Sequence, residues 1–483
     1  MPETTMTWAS VAPASGEIFL VFAICAVLLI DVFAGGRRRS LTPTLTLVAL
    51  AVTAALLVSV GADPAVGRRV LFHGLYVADP VALVVKLAAV LFVATALMYS
   101  RGYMAQRGTG RGEYYVLSLT ALLGIFVLAS ANSLLTVYIG VELLALSLYA
   151  MVAFDRDNGI AAEAAIKYFV LSTIASGILV YGMSIIYGVT GTLGLDELAV
   201  RLGVHHSTGA VLGLTFMVVA VTFKLGAVPF HMWLPDVYEG APTNVTTFIA
   251  TAPKMGYFAL VLRLLTHGMS GTEHEWSQML AVLAVLTLIL GNVVAIAQTN
   301  FKRMLAYSAI SNVGFILLGF VAGTQAGYGA ALFYTLVYVL TTLCIFGVIL
   351  LMTHKGFEAD MLADYKGLYS RDPLLALVML ACMFSTAGVP PFVGFWAKLS
   401  ILQQLWATGH LWLVIIAVLT SVIGCFYYLR VVKLMYFDQP EAGQPLPEWQ
   451  PGVRLAIGVN GAAVLVLGVL PGPLLSLCSR LLN

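Results

Sequence analysis

The chain has 483 residues, of which 60% are hydrophobic and only 10% charged, with a formal net charge of +2. A soluble surface needs roughly a quarter of its residues charged, so this composition excludes a soluble globular protein and points to lipid as the surrounding solvent. The small charge is spread along the chain and gives neither a basic footprint for nucleic acid nor an acidic tail.

No Lys or Arg precedes the first apolar segment. The basic n-region of a cleaved signal peptide is therefore absent, and the first segment is expected to be retained. A hydrocarbon core about 30 Å thick needs about 20 apolar residues in a helix, and windows of that length recur to give about 14 spans. They begin near Glu17, Leu41, Ala78, Glu113, Leu134, Ala161, Ser207, Thr243, Trp276, Met304, Tyr328, Leu374, Leu411 and Val453. Runs such as 45–60 lack the alternation of a barrel strand, and only helices or closed barrels satisfy the backbone in lipid. The expected fold is an all-α polytopic membrane protein forming one transmembrane domain over 1–483, with no strands needed. Within it, 17–112 hold helices one to three and 453–474 hold helix fourteen.

Basic residues cluster after the first span (Arg37, Arg38, Arg39) and after the third (Arg101, Arg107, Arg111), and recur at Lys302, Arg303, Lys355, Lys366 and Arg371. These fall in odd-numbered loops, which puts those loops in the cytoplasm and both termini outside. Arg68, Arg69 and Arg201 dissent.

Two spans carry helix breakers in corresponding places: Val228-Pro229-Phe230 in the seventh and Gly388-Val389-Pro390-Pro391-Phe392 in the twelfth. Pro229 cannot donate to the Leu225 carbonyl, nor Pro390 to that of Thr386, so polar backbone is freed at membrane depth. Discontinuous helices seven and twelve, about five helices apart, suggest two five-helix repeats, helices four to eight over 113–266 and nine to thirteen over 276–437. An odd number of helices per repeat makes them inverted.

A charge at the bilayer centre costs at least about 2.5 to 3.5 kcal/mol, so each asks for a reason. Glu142, Lys224, Lys254 and Lys398 all sit inside apolar runs. Burial disfavours the charged form of a lysine and a nearby carboxylate restores it, so moving the carboxylate switches proton affinity. The bland alternative is a static structural ion pair. Glu163 and Lys167 lie four apart and can pair on one helix face; alternatively, Lys167 sits between Glu142 and Lys224 and modulates the latter. Lys86, Asp31 and Lys433 lie nearer span ends, where snorkelling or pairing with loop arginines accounts for them. The stretch 231–243 carries His, Asp and Glu without ligand spacing and reads as an interfacial turn rather than a metal site.

The five cysteines, Cys25, Cys344, Cys382, Cys425 and Cys478, are far apart, include no C-x-x-C, and read as small core residues. No nucleotide-binding fingerprint or P-loop is present, so no cofactor or metal is expected in this chain.

Phe223-Lys224, Pro229-Phe230-His231, Trp233-Leu234-Pro235-Asp236 and Ala241-Pro242-Thr243 together resemble the antiporter-like core of respiratory complex I. The runs Lys302-Arg303-Met304-Leu305-Ala306-Tyr307-Ser308 and Gly388-x-Pro390-Pro391-x-x-Gly394-Phe395-x-x-Lys398 are similar to that family's second repeat. The likeness spans nearly the whole chain. The length sets aside the largest paralogue, with its long lateral helix. Lys398 rather than a glutamate looks like the subunit N branch and not the subunit M branch, as do Ala165-Ile166-Lys167-Tyr168-Phe169 and Asp364-Tyr365-Lys366-Gly367-Leu368.

The resemblance implies a proton-translocating subunit of a bacterial inner-membrane NADH:quinone oxidoreductase. Glu142 and Lys224 would form the coupling pair, Lys254 the central relay and Lys398 the terminal lysine. NADH, FMN, iron–sulfur clusters and quinone would be used by other subunits. Its partners would be antiporter-like subunit M on one side, small subunits such as K and J on the other, and lipids. Ser311-Asn312-Val313-Gly314 stands where the family often has a histidine, and no relay role is read there. The rivals are a multisubunit cation/proton antiporter and a scaffold that has lost transport. The scaffold's signature would be replaced lysines, and here all are present.

Overall fold

A computed structural model describes residues 11–34, 41–61, 67–107, 111–155, 157–204, 207–441, 446–447 and 450–482. Among these, thirteen helices are long and apolar enough to cross a membrane. The remaining expected span, the twelfth, is present in two pieces, Pro373–Ala387 and Val393–Ala407. All fourteen expected segments are therefore helical, with shifted ends that have local causes. The third begins at Pro80 rather than Ala78, because Asp79 Oδ1 accepts the Ala82 amide at 2.8 Å and proline suits the first helical turn. Arg37, Arg38 and Arg39 lie outside the described residues.

The expectation of no strands is corrected at one point. β1 (Arg69–Leu71) and β2 (Tyr76–Ala78) pair antiparallel in the link between spans two and three. Three residues per strand are too few for alternation to register in a sequence, and the hairpin lies between membrane helices rather than in one.

Spans eight, ten and eleven are enclosed by the others, whereas spans one, two, thirteen and fourteen leave most of their residues partly or fully exposed. Close backbone approach fixes the sequential pairs. A Cβ on Gly124 would sit 2.7 Å from the Leu144 amide nitrogen, and one on Gly291 the same distance from that of Ser311. Spans four and five, and likewise nine and ten, thus meet through a glycine, as small residues allow where no water drives association. Four of the cysteines are buried or half-buried as expected, but Cys25 faces outward.

Charged side chains tie the ends of the helices together. Arg263, near the end of span eight, meets Asp79 through two bonds of 2.6 and 2.7 Å and gives its Nε hydrogen to the Ala129 carbonyl at 2.9 Å. The snorkelling expected of Lys86 is overturned. Lys86 is buried and pairs with Glu17 of span one, and it donates to the Tyr76 hydroxyl at 3.0 Å. Glu17 of span one thus supplies a carboxylate that spacing along the sequence cannot reveal. Asp31 accepts from Thr42 at 2.6 Å, and Lys433, largely exposed, meets Asp438 at 3.3 Å.

Arg107 meets Glu358 at 2.7 Å, which brings the third and eleventh loops to one face. Two of the dissenting arginines are neutralised on another pair of links: Arg68 pairs with Asp196, and Arg201 with Glu197. Lys302 is not a loop residue. It is buried in the first turn of Phe301–Val321, 3.2 Å from Asp360 and out of line for a hydrogen bond to it, and it donates to the Ala241 carbonyl at 3.3 Å.

Removing one member of a buried pair leaves the other charge uncompensated, at a cost of about 3 to 5 kcal/mol. Asp79→Ala is therefore expected to lower the thermal midpoint of the purified assembly, read by heat-induced loss of the intact complex, and Arg263→Met added to it is expected to recover most of that loss.

Candidate site of buried lysines at helix breaks

Span seven begins at an N-cap, Ser207, whose hydroxyl accepts the Ala210 amide at 3.1 Å, and runs as Thr208–Leu225. It stops at Gly226, whose φ of 81° suits the left-handed C-terminal cap; Gly226 and Ala227 donate back to Phe223 and Thr222 at 3.0 and 2.9 Å. The chain resumes as the short helix Trp233–Gly240. Span twelve repeats this ending at Gly388, φ 88°, with Gly388 and Val389 both donating to Phe384 at 3.0 Å.

The carbonyls left open by these endings are taken by lysines. Lys254 Nζ donates to Leu225 O at 3.1 Å, the carbonyl that Pro229 cannot serve. Lys398 Nζ donates to Ala387 O at 3.1 Å and to Ser421 Oγ at 2.8 Å. The expected free carbonyl at Thr386 is thus displaced by one residue, since Pro391 also lacks an N–H. A half-helix C-terminus carries partial negative charge, so each ammonium is held by both a hydrogen bond and a dipole. Span eight itself is interrupted, as Thr243–Ile249 and Pro253–Val261, which the sequence reading did not anticipate; Lys254 stands just after that third break.

Lys224 lies at the last turn of Thr208–Leu225 and is buried. Its Nζ donates to Ser172 Oγ at 2.7 Å and Ser176 Oγ at 3.1 Å, both on span six. The expected contact with Glu142 is absent: no ion pair joins the two, and Glu142 Oε1 is buried without a hydrogen-bond partner. Lys167 does not stand between them. It is exposed near the start of span six, bound by Glu163 and Asp236, each at 2.9 Å, and Asp236 also holds Arg303 at 2.9 Å. The Glu163–Lys167 pairing expected from spacing is therefore present, and the segment after His231 forms a short helix whose acids bind these cations.

Lys398 borders a cavity of about 20 Å³ with Asn312, Tyr334, Tyr338 and Ser385, room for about one water. Asn312 accepts from the Tyr334 hydroxyl at 2.6 Å and donates to Ser308 O at 2.7 Å, and Ser308 meets the Tyr428 hydroxyl at 2.6 Å. This network and the serines at Lys224 escaped the sequence reading. The spacing of Ser172 and Ser176, one turn apart in an apolar helix, is the signal that would have found the second.

The family described as NADH:quinone oxidoreductase/Mrp antiporter, TM, matches residues 131–424, which sets the chain among antiporter-like membrane subunits. It is 52% identical to NADH-quinone oxidoreductase subunit N of Thiobacillus denitrificans, covering 97% of this chain and 96% of that one. It is 50% identical to the same subunit of Nitrosomonas europaea, covering 96% of each. Respiratory complex I from Thermus thermophilus with bound aureothin contains a chain 32% identical, TM-score 0.82, covering 95% of this chain and 98% of that one. The Mrp complex from Dietzia sp. has a chain of the same fold, TM-score 0.86 at 21% identity, covering 99% and 97%. The chain belongs to the NADH-quinone oxidoreductase subunit N family, multi-pass inner-membrane subunits of a proton-translocating complex that work alongside other membrane subunits.

Packing at the second break makes a specific demand. A Cβ on Gly394 would fall 1.8 Å from Ser385 O, whereas one on Gly458 in span fourteen meets nothing within 4 Å. Overpacking costs about 1 to 3 kcal/mol. Gly394→Ala is expected to reduce assembled complex in membranes, measured on native gels, with Gly458→Ala as the unaffected control.

Proposed function

We propose that this chain carries protons along Glu142, Lys224, Lys254 and Lys398 while quinone reduction in neighbouring subunits drives the transfer. The observation that carries the reading is a contrast. Among the described residues, Lys86, Arg263 and Lys302 are buried against carboxylates. Lys224, Lys254 and Lys398 instead donate to hydroxyls and backbone carbonyls, and Lys398 also lies 5.1 Å from the centre of the Phe315 ring. A lysine paired with a carboxylate is fixed in its charged form, whereas one held by neutral groups is poised to lose its proton. Glu142, its Oε1 open, is the movable counter-charge that reloads Lys224. Lys167, bound at the rim by Glu163 and Asp236, modulates the path from the outside rather than from between the pair.

The reading treats 113–266 and 276–437 as two inverted five-helix repeats within one domain, flanked by 17–112 and 453–474. It is supported by the matched Gly226 and Gly388 endings and the matched close pairs at Gly124 and Gly291. The chain holds no redox group of its own. NADH, FMN, iron–sulfur clusters and quinone act in other subunits, and the neighbours are antiporter-like subunit M on one side and small subunits such as K and J on the other. The likeness to the Mrp complex is one of fold and adds no support for cation exchange.

The test is NADH-driven proton pumping in vesicles holding the assembled complex, with artificial-acceptor activity used to match the amount of complex. Lys224→Ala is expected to slow proton transfer through this chain by about 100-fold or more, the effect of removing one positioned proton-transfer group, and so to lower protons moved per electron, with Glu142→Ala lowering it in the same direction. Full pumping in both variants would contradict the reading.

A further inference from the structure

Hydroxyls on membrane helices usually turn back onto their own helix. Here Ser100 donates to Ala96, Ser118 to Tyr114, Ser147 to Leu143 and Thr190 to Ile186, all at 2.7 to 2.8 Å. Such back-bonding satisfies the hydroxyl within the helix. Ser172 and Ser176 are different. Both are buried, one turn apart on span six, and each accepts a hydrogen bond from Lys224 Nζ, at 2.7 and 3.1 Å; no bond to the carbonyl four residues back is formed by either. The Ser172 carbonyl adds a third contact at 3.5 Å. Their hydroxyls are held free for the lysine.

We propose that Ser172 and Ser176 are positioning residues that hold Lys224 away from Glu142 in either protonation form. The chemistry of the two cradles differs. A carboxylate only accepts, so Glu142 binds the ammonium but offers no donor to the lone pair of a neutral amine. A hydroxyl both donates and accepts and rotates freely. When an Nζ–H bond breaks and its proton passes to a water molecule, the lone pair left on Nζ accepts the O–H of Ser172 or Ser176. The lysine lone pair is then not left unpaired, so release carries little desolvation penalty from the lysine side. The serine cradle is thus the release state and Glu142, with Oε1 unpartnered, the loading state.

This rests on Lys224 being a proton carrier, and the test separates the two ideas. The assembled complex is prepared with Ser172→Ala/Ser176→Ala, with Ser172→Thr/Ser176→Thr, and with each pair in a Glu142→Gln background, and protons moved per electron are measured at matched acceptor activity. The alanine pair is expected to lower the ratio about threefold or more, as loss of hydrogen bonds to a charged group implies. The threonine pair, or Ser176→Thr alone if the double variant assembles poorly, is expected to restore most of it. With Glu142→Gln no carboxylate remains to capture the lysine, so the alanine pair is expected to add much less; non-additivity of this kind reports coupling between contacting groups. Wild-type pumping in the alanine pair, or an equal loss with and without Glu142, would overturn the serine role while leaving Lys224 as carrier. Wild-type pumping in Lys224→Ala would instead overturn the reading beneath it.

Discussion

A positive charge buried in a membrane protein without a counter-charge is expensive, and the structure around spans seven, eight and twelve is arranged to make the buried Lys224 and Lys254 and the half-buried Lys398 tolerable. For Lys254 and Lys398 the means is a broken helix. Ending Thr208–Leu225 at Gly226 and Pro373–Ala387 at Gly388 opens backbone carbonyls at membrane depth, which is as unfavourable as the lone lysine. Placed together, the two defects satisfy each other: Leu225 O takes Lys254 and Ala387 O takes Lys398. Neither half could persist alone, so the break and the lysine form one unit.

That unit differs in kind from the ion pairs that hold the chain together. Asp79 with Arg263, Glu17 with Lys86 and Asp372 with Arg454 join helix ends that are distant in sequence, each cation met by a carboxylate. Such pairs are rigid because breaking them leaves an uncompensated charge. The three site lysines instead keep neutral partners, so a proton can leave without stranding an anion. Separating fixed charges that build the bundle from mobile ones that work in it follows from the partner each cation has, not from its depth alone.

The fold was legible because membrane helices announce themselves by length and apolarity, and the breaks at Pro229 and Pro390 because proline removes a donor wherever it stands. Lys224, Lys254 and Lys398 were legible because a lysine in an apolar run has no ordinary reason to be there. What sequence could not supply were partners across helices. Lys86 looked peripheral until span one brought Glu17 beside it. Lys302 looked like a loop cation until Asp360 and the Ala241 carbonyl enclosed it, and Ser172 and Ser176 looked like filler in an apolar helix. The break before Lys254 was hidden because it lies inside an apolar run long enough to read as one span from Thr243, and the hairpin 69–78 because three-residue strands leave no pattern.

The central claim is that the lysines change protonation rather than serve as permanent caps, and arginine distinguishes the two. Its guanidinium donates to a carbonyl as an ammonium does but stays ionised in proteins. The most direct measurement is protons pumped per electron by assembled complex carrying Lys398→Arg, at matched acceptor activity. The account predicts an intact complex, because the Ala387 carbonyl and Ser421 keep a cationic donor, together with loss of pumping. Pumping at the wild-type ratio would show that a fixed charge at the second break suffices, and would contradict the claim that Lys398 carries a proton.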